Sequence, residues 1–363
     1  MRKKIFAVSD IHGHATLLKE ALSNAGFQES NPEHLLVVCG DCFDRGKENR
    51  AVYLYLDRIK NKVIIRGNHE DILEDTIYKA KVTDHARDNG TEKTVKEFFG
   101  SDYDYERCTL FIDERTNGYK ELIPFLQSTR DYFETEKYVF THGWLPLINQ
   151  GTFYVDIPDN WRYATPAEWR KARWTEWHKV YPYRPILKDK TLIVGHRSTA
   201  YGSMFDPKRQ SKCHDPFHGE GMIAIDALTV LSEKINVITL TDNVPDAVTH
   251  QMSLQDRHFR KMKAREKTVE MRLPNEKRKQ IHTGDQIEFT NTETEEKLTV
   301  TVTSLHRFPT FRELISAMSA KALGFEGQDA AEILKAIVEI YPEDKQKRFG
   351  ALAIKVQIDQ ARV

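Results

Sequence analysis

From residue 1 to about 242, short apolar runs alternate with amphipathic stretches, which is the pattern of an α/β domain. Apolar residues at helical spacing predict helices over 15–25 and 49–60, with helical pieces near 95–99 and 121–129. A long loop is predicted over 152–185, with a short helix near 166–178 that could form a lid. The apolar runs themselves predict strands at 3–10, 34–41, 62–69, 137–143, 191–196, 221–226 and 235–242.

The alternation stops near residues 243–252, and a second pattern follows. It begins with a basic stretch and then predicts strands over 287–289, 297–304 and 351–358 and helices over 310–320 and 330–340. A small mixed β-barrel with helices fits this order of elements. We therefore expect two domains, residues 1–245 and residues 252–363.

Composition narrows the class of protein. Among the 363 residues, 54 Lys and Arg balance 54 Asp and Glu, and 40% of the chain is hydrophobic. These values are typical of globular proteins and exclude intrinsic disorder, while no apolar run approaches the roughly 20 residues that cross a bilayer. The apolar stretch behind the basic start is too short for a signal peptide, so we expect a cytoplasmic protein without a membrane partner. The oligomeric state stays open.

The four cysteines add little chemistry. Cys39 and Cys42 have the spacing of a redox pair or of half a zinc site, but no second pair exists in the sequence. A buried Cys39 and an incidental Cys42 are the simpler interpretation.

Polar residues follow five of the predicted strands. Because ligands of α/β sheets gather beyond the carboxyl ends of strands, we expect these residues to meet at one edge. Carboxylate, imidazole and amide groups are donors that suit Mn, Fe or Zn, so the pattern predicts a metal centre. The strand-end sequences are Asp10-x-His12, Gly40-Asp41-x-x-Asp44-Arg45-Gly46, Gly67-Asn68-His69-Glu70, Thr141-His142-Gly143 and Gly195-His196.

This order of motifs resembles the calcineurin-like metallophosphoesterases, and its wording is similar to their phosphoprotein-phosphatase branch. The resemblance covers about residues 1–242 and implies a β-sandwich flanked by helices that holds two divalent ions. Mn is the expected metal, with Fe, Zn, Ni and Mg as alternatives. The resemblance implies that one ion is held by Asp10, His12 and Asp41, and the other by Asp41, Asn68, His142 and His196.

The same resemblance implies catalytic roles. A hydroxide bridging the two ions would attack phosphorus, His69 would protonate the leaving group, and Asp44 would orient that imidazole. Arg45 offers a fork of donors for phosphate oxygens. Arg173 is the candidate for a second phosphate-binding arginine, in competition with Arg162, Arg170 and Arg197.

The second domain has its own signal. Between Arg257 and Lys279, ten Lys and Arg stand against three Glu, a local charge of +7. Such a strip favours attraction to phosphate backbones, although a solvated basic face is the alternative. The Lys267-Thr-x-Glu270-x-Arg272 and Gly284-Asp-x-Ile-x-Phe sequences resemble an ASCH domain, a relative of the RNA-binding PUA barrel. The nucleic-acid-binding candidates are Lys267, Arg272, Lys277, Arg278 and Lys279.

Some ASCH relatives act as amidohydrolases through a Lys, a Thr and a Glu. Lys267 and Glu326 could match two of these residues, but Glu270 stands where the Thr would be. A second active site is therefore weakly supported.

Together these features predict a metal-dependent phosphoesterase that acts on an RNA- or nucleotide-linked phosphate, with the ASCH-like domain binding the nucleic acid. A serine/threonine-type protein phosphatase or a dinucleoside polyphosphate hydrolase is the alternative within the same chemistry, because such a site contacts only the phosphate. A nucleic-acid-binding protein with an inert phosphoesterase fold is the alternative of another class.

Overall fold

The computed structural model describes residues 1–111, 116–149, 155–183 and 185–358. The chain divides into two compact units, and the division is not a single point along the sequence. The first unit comprises Met1–Pro158 and Arg170–Pro245, and the second comprises Asp159–Trp169 and Asp246–Val363. Residues 152–154 and 184 of the predicted loop and residues 359–363 of the predicted second domain lie outside the described residues.

Two sheets form the centre of the first unit. One is four-stranded, in the order Ile238–Asn243, Arg2–Val8, His34–Cys39 and Lys62–Ile65. The other is five-stranded, in the order Phe217–Gly219, Met222–Ala224, Thr191–Val194, Tyr138–Phe140 and Phe133–Glu134. Two short antiparallel sheets have two strands each. One pairs Tyr103–Asp104 with Thr109–Leu110, and the other pairs Ile148–Asn149 with Val155–Asp156.

Side chains alternate between the two faces of a strand, and both faces of the central strands are buried. Ile5 and Ala7 belong to the core that also contains Phe140 and Ile193 of the other sheet. Phe6 and Val8 point the opposite way, into a core shared with helices. The predicted β-sandwich flanked by helices is therefore confirmed.

Helices cover the outer face of the first sheet and fill its connections. Predicted helices near 15–25, 49–60 and 121–129 are present, and the piece at 95–99 belongs to a longer helix. The helices are Ala15–Asn24, Asn49–Arg58, Asn68–Lys79, Asp84–Asp88, Thr91–Phe99, Asn117–Ser128, Trp177–Val180 and Thr229–Ser232, with 3₁₀ turns at Gly100–Asp102, Tyr181–Tyr183 and Thr199–Met204. The helix Pro166–Arg173 crosses the division between the units.

The second unit is built on a five-stranded mixed sheet. Its order is Thr249–Leu254, Gln286–Asn291, Lys297–Phe308, Ala351–Ile358 and Val269–Arg272, with the first pair parallel and the others antiparallel. Its helices are Asp256–Lys263, Phe311–Ala317, Ala320–Leu323, Ala330–Ile340 and Glu343–Phe349, with 3₁₀ turns at Trp161–Tyr163 and Arg278–Gln280. The mixed β architecture is confirmed, and the strands Thr249–Leu254 and Val269–Arg272 are additions to the prediction.

In the part of the chain that the structure describes, no helix combines the length and apolar character needed to cross a bilayer.

Candidate active site

The six predicted metal ligands meet at one edge of the sandwich. Five of them are buried, with no more than 3% of the residue exposed, and His196 is half-buried. They reach this edge because the parallel strands that precede Asp10, Asp41, Asn68, His142 and His196 all end there. Residues separated by as many as 186 positions thus become neighbours, as when the His196 amide donates to Asp10 Oδ2 at 2.9 Å.

Two groups of ligand atoms share one carboxylate. His12, Asp41 and His69 form one group and Asp41, His142 and His196 form the other, each with its ligand atoms within 4.8 Å of one another. Nε2 of His142 lies 3.3 Å from Asp41 Oδ1 and 2.8 Å from Asn68 Oδ1. Nε2 of His12 lies 3.8 Å from Asp41 Oδ2 and 3.9 Å from Asp10 Oδ1. Asp41 is therefore positioned as a shared ligand.

The imidazoles are oriented as metal ligands usually are. Nδ1 of His142 lies 2.7 Å from the Cys39 carbonyl oxygen, and Nδ1 of His12 lies 3.0 Å from the Phe43 carbonyl oxygen. A ring N–H bonded to a backbone carbonyl turns the other nitrogen toward the metal. Among the described residues, Nε2 of His196 is buried without a hydrogen-bond partner.

Burial and neighbouring charges shift the pKa values of the predicted metal ligands and of Asp226. Burial and the neighbouring Asp226 and Asp41 raise the pKa of Asp10, and burial raises the pKa of Asp226 to about 6. Burial lowers the pKa of His12, and burial together with His142 lowers that of His196 to about 3. A divalent ion requires deprotonated ligands, which fits the neutral imidazoles of His12 and His196. Asp41 and His142 pair with each other, because, although burial opposes both shifts, Asp41 raises the pKa of His142 to about 10 and His142 lowers that of Asp41. Carboxylate, imidazole and amide donors together match Mn, Fe or Zn better than Ca.

The backbone is strained where these side chains converge. Asp10, His12, Asp41 and His196 all have positive φ angles between 47° and 66°, a region that non-glycine residues seldom adopt. Such conformations persist only where the surrounding structure holds them and are frequent at functional sites. Gly40 has a φ of 82°, and a Cβ there would lie 2.6 Å from His142 Nδ1.

Glu70 ties two of the strand-end loops together. Its carboxylate accepts from the amides of Asp41 and Cys42, each at 2.9 Å, and from the Gly67 amide at 2.7 Å. This arrangement closes the N-terminus of the helix Asn68–Lys79 and fixes the loop that carries Asp41. Sequence reasoning quoted Glu70 in a motif but gave it no role.

His69 contacts Asp44, the residue expected to orient it, and also Arg45, which was expected to bind phosphate. Its Nδ1 lies 2.8 Å from Asp44 Oδ2, and its Nε2 lies 3.1 Å from Arg45 Nη2. Asp44 is fully buried and accepts hydroxyl hydrogen bonds from Thr91 at 2.7 Å and Thr94 at 2.6 Å. Asp41 and Asp44 raise the pKa of His69 although burial opposes them. The helix Thr91–Phe99 therefore positions Asp44, and Asp44 orients His69.

A cavity of about 430 Å³ opens beside the cluster. His12, Asp41, Asn68, His69 and His196 line its inner end. Arg45 and Arg197 line it as well, and such guanidinium groups match phosphate oxygens. The size falls within the usual range for small-molecule sites, about 300–1,000 Å³.

Arg173 is not brought to this cavity. Its guanidinium is buried, with Nε 2.7 Å from Asp71 Oδ2 and Nη1 2.9 Å from Asp131 Oδ1. These two carboxylates occupy the donors that a phosphate would need, so the structure disagrees with a phosphate-binding role for Arg173. Of the competing arginines, Arg197 lines the cavity and pairs through Nη2 with Glu176, while Arg170 pairs with Asp75 at 2.8 Å.

Sequence reasoning missed Asp226, a buried carboxylate that lines the cavity. It closes the predicted strand 221–226 in the same way that Asp10 and Asp41 follow their strands, so the strand-end signal could have found it. Trp174 and Tyr201 also line the cavity and carried no signal in the sequence.

In the second unit, the structure divides the five nucleic-acid-binding candidates. Lys267 is buried, with Nζ 3.1 Å from Glu270 Oε2 and 2.7 Å from the Val269 carbonyl oxygen. Arg272 lies 2.8 Å from Glu270 Oε1. Lys267 is therefore not on an exposed basic face, whereas Lys277 and Lys279 are exposed and Arg278 is half-buried. Glu326, the second amidohydrolase candidate, does not line the cavity of about 140 Å³ that contains Lys267 and Glu270.

Comparison with curated proteins gives one match. The chain is 27% identical over 158 residues to Shewanella-like protein phosphatase 1 of Plasmodium berghei (strain Anka), which covers 40% of each chain. This chain thus spans less than half of that relative.

Solved structures give partial matches. Protein PF0455 from Pyrococcus furiosus is 30% identical, with a TM-score of 0.26, over 31% of this chain and 97% of that one. A putative diadenosine tetraphosphatase is 14% identical, with a TM-score of 0.40, over 68% of this chain and 95% of that one.

Family models match both parts of the sequence. The ASCH domain model matches residues 252–359. The model of the calcineurin-like phosphoesterases matches residues 3–224, more than half of the chain and the whole set of residues that forms the cluster described above. The chain therefore belongs to the calcineurin-like phosphoesterase family.

Proposed function

We propose that the first unit is a metal-dependent hydrolase of phosphate esters. The observation that carries this proposal is the pair of ligand groups that share Asp41, beside a cavity lined by Arg45 and Arg197. An inert scaffold would have no need for buried carboxylates and imidazoles held in strained conformations at this edge.

Asp10, His12 and Asp41 would hold one divalent ion, and Asp41, Asn68, His142 and His196 would hold the other, with Mn as the first candidate. Such ions polarise phosphoryl oxygens and lower the pKa of a coordinated water. The protein's own groups complete the chemistry. Arg45 and Arg197 bind phosphate oxygens at the mouth of the cluster, and His69, oriented by Asp44, delivers a proton to the leaving oxygen.

The test is hydrolysis of 4-nitrophenyl phosphate by the full chain, stripped of metal and then reconstituted with Mn, Fe, Zn, Ni or Mg. We expect activity to return with metal, and Asp41→Asn to lower kcat/KM by about 1,000-fold or more, because Lewis-acid stabilisation contributes several kcal/mol. Asp75→Asn, which alters a surface ion pair, is the matched control. Metal-independent activity, or full activity in Asp41→Asn, would overturn the proposal.

The substrate proposed for this site is an RNA- or nucleotide-linked phosphate, supported by the ASCH domain match and by exposed Lys277 and Lys279. Charge reversal of both lysines to Glu should weaken RNA binding and flatten its salt dependence. The control reverses Arg312 and Lys335, two exposed cations of the same unit. Equal RNA affinity in both double variants would contradict this part of the proposal.

A phosphoprotein is the second candidate substrate, because the curated relative is named a protein phosphatase. Phosphopeptides assayed beside nucleotides and phosphorylated RNA ends, at equal phosphate concentration, separate the two candidates. A higher kcat/KM for phosphoserine or phosphothreonine peptides would favour the second.

A further inference from the structure

Three large side chains that line the cavity beside the cluster are exposed. Trp174, Tyr201 and Met204 are 37%, 42% and 66% exposed, and we call these three side chains the wall. Large apolar side chains that converge on a polar site mark a surface that contacts a ligand more often than ordinary surface does. The metal ligands and arginines account for recognition of a phosphate but not for this wall.

Trp174 differs from every other tryptophan of the chain. The other four, Trp144, Trp161, Trp169 and Trp177, are at most 2% exposed and belong to the interior. Trp174 instead lies at the cavity, with its ring centroid 6.0 Å from that of His196, one of the predicted metal ligands. An indole left open beside the cluster is in reach of the group attached to a bound phosphate.

The two rings are held in place by other rings. Tyr201 stacks on His178 with centroids 3.8 Å apart and planes 6° from parallel. Trp174 contacts His196 and also His85, whose centroid is 5.9 Å away. Both rings are thus held by neighbouring rings while they remain exposed and line the cavity, which lowers the entropy lost when a ligand stacks on them.

Polar groups also line the cavity. Asn89, Ser198 and Ser203 add an amide and two hydroxyls to the lining of the cavity. A planar ring with nitrogen or oxygen at its edge can stack on the aromatic side chains and bond to such groups. A saturated or strongly charged group would leave the aromatic wall exposed.

We propose that the site selects phosphate monoesters whose organic group carries a planar aromatic ring, which packs against Trp174 and Tyr201. Either a nucleobase or a phenyl ring supplies this chemistry. The inference rests on the proposed hydrolysis and specifies its substrate class.

The experiment uses the metal-loaded full chain and pairs of substrates with the same type of leaving alkoxide. Adenosine 5′-monophosphate is paired with ribose 5-phosphate, and benzyl phosphate with cyclohexylmethyl phosphate. Because leaving-group reactivity is matched within a pair, the ratio of kcat/KM reports the ring alone. We expect the aromatic member of at least one pair to be favoured by about fivefold or more, the lower end of what stacking of one base contributes.

Variants connect the preference to the wall. Trp174→Leu should bring the favoured ratio close to one, while Trp174→Phe should retain most of it. Tyr105→Leu, which changes a tyrosine that is 65% exposed and does not line the cavity, should leave the ratio unchanged. A preference confined to the adenosine pair identifies a nucleobase, and one confined to the benzyl pair identifies a phenyl ring.

Two negative results are distinguishable. If metal-loaded protein fails to hydrolyse even 4-nitrophenyl phosphate, the proposed hydrolysis is wrong. If it hydrolyses that ester but treats the members of both pairs equally, or if Trp174→Leu keeps the wild-type ratio, only the aromatic selection is wrong.

Discussion

Both units bury charged side chains, but they balance the charges in different ways. In the first unit, Asp10, Asp41 and Asp226 lie close together among imidazoles, and burial raises the pKa of Asp10 and Asp226. In the second unit, the Glu270 carboxylate is flanked by Lys267 at 3.1 Å and Arg272 at 2.8 Å. These two cations outweigh burial and lower the pKa of Glu270.

The comparison distinguishes a carboxylate cluster that we expect to bind a cation from a carboxylate that already has cationic side chains beside it. In the first cluster His142 pairs with Asp41, but burial, Asp226 and Asp41 raise the pKa of Asp10, so we expect a cation from solution to complete the cluster. A carboxylate with two cationic partners is already neutralised within the chain, and loss of one partner would destabilise the unit. Buried charge alone therefore does not identify an active site, whereas a buried carboxylate with a raised pKa favours one.

Replacement of His69 gives the largest expected change in activity. His69→Gln should lower kcat for an alkyl phosphate by about 100- to 10,000-fold, the usual contribution of a general acid. The loss should be smaller for 4-nitrophenyl phosphate, because its leaving group needs little protonation. Metal content per chain, measured by atomic emission, should stay the same.

The metal content of His69→Gln tests whether His69 is a proton donor or a metal ligand. His69 lies with His12 and Asp41 in one ligand group, so it could serve as a ligand instead. Loss of one equivalent of metal in His69→Gln, with an equal loss of activity for both esters, would move His69 from proton donor to ligand.

Replacement of Glu270 tests whether the carboxylate with two cationic partners stabilises the second unit. Glu270→Gln leaves two buried cations without their carboxylate, and we expect a loss of about 3–5 kcal/mol in the stability of the second unit. Denaturant unfolding followed by hydrogen exchange of amides in the strand Val269–Arg272 would measure it. Glu288→Gln, which breaks the more exposed pair with Lys297, should cost much less stability because solvent screens that pair. Equal effects of the two variants would contradict the distinction.

The sequence predicted that the six side chains would meet, because each follows an apolar strand and strand ends share an edge; that they bind metal stays a prediction. It failed for Arg173, because Asp71 and Asp131 are 102 and 42 residues away in the chain and no local pattern shows that they would neutralise it. It failed for Lys267 for a different reason. A charge count over 257–279 treats every cation as exposed, but Lys267 is buried and pairs with the buried Glu270 at 3.1 Å.

The segment Asp159–Trp169 was also beyond sequence reasoning. It belongs to the second unit, where Trp161 and Trp169 are buried and the Ala164 carbonyl oxygen lies 2.9 Å from His306 Nδ1. Tyr163 packs under Arg307, with the guanidinium 3.8 Å from the ring centre. A discontinuous segment leaves no break in hydrophobic pattern, so the boundaries 1–245 and 252–363 stay a prediction for independently folding domains.

Asp71 of the first unit is also buried beside two cations, the guanidinium groups of Arg66 and Arg173. Burial would raise the pKa of Asp71, but Arg173 and Arg66 outweigh it and lower the pKa to about 2. Because the folded pKa is below the unfolded value of about 3.9, this carboxylate stabilises the fold above about pH 4. The stabilisation, about 2–3 kcal/mol, should be lost as pH falls from 4 to 2.

Acid titration of unfolding free energy checks this window. Asp71→Asn should remove the slope between about pH 4 and 2. The more exposed Asp75→Asn should leave it in place. If the unfolding free energy of Asp71→Asn still falls between pH 4 and 2, other carboxylates cause the acid sensitivity and the two arginines do not stabilise the fold through Asp71.

The smallest expected effect concerns the shape of the cluster and not its charge. A Cβ on Gly195 would overlap Ser9 Oγ and Asp10 Oδ2, so Gly195→Ala must displace the Asp10 carboxylate while leaving every ligand in the sequence. Displacement of an oriented ligand should weaken metal affinity by about 10- to 100-fold, the usual effect of changing groups that orient metal ligands. Gly26→Ala, where a Cβ would meet no atom within 4 Å but the φ of +80° strains an alanine, is the control for lost stability without contact with the cluster. Unchanged Mn affinity in Gly195→Ala, measured by calorimetry on folded protein, would show that Asp10 is not a ligand. The carboxylate cluster would then take its cation through Asp41 and the imidazoles alone.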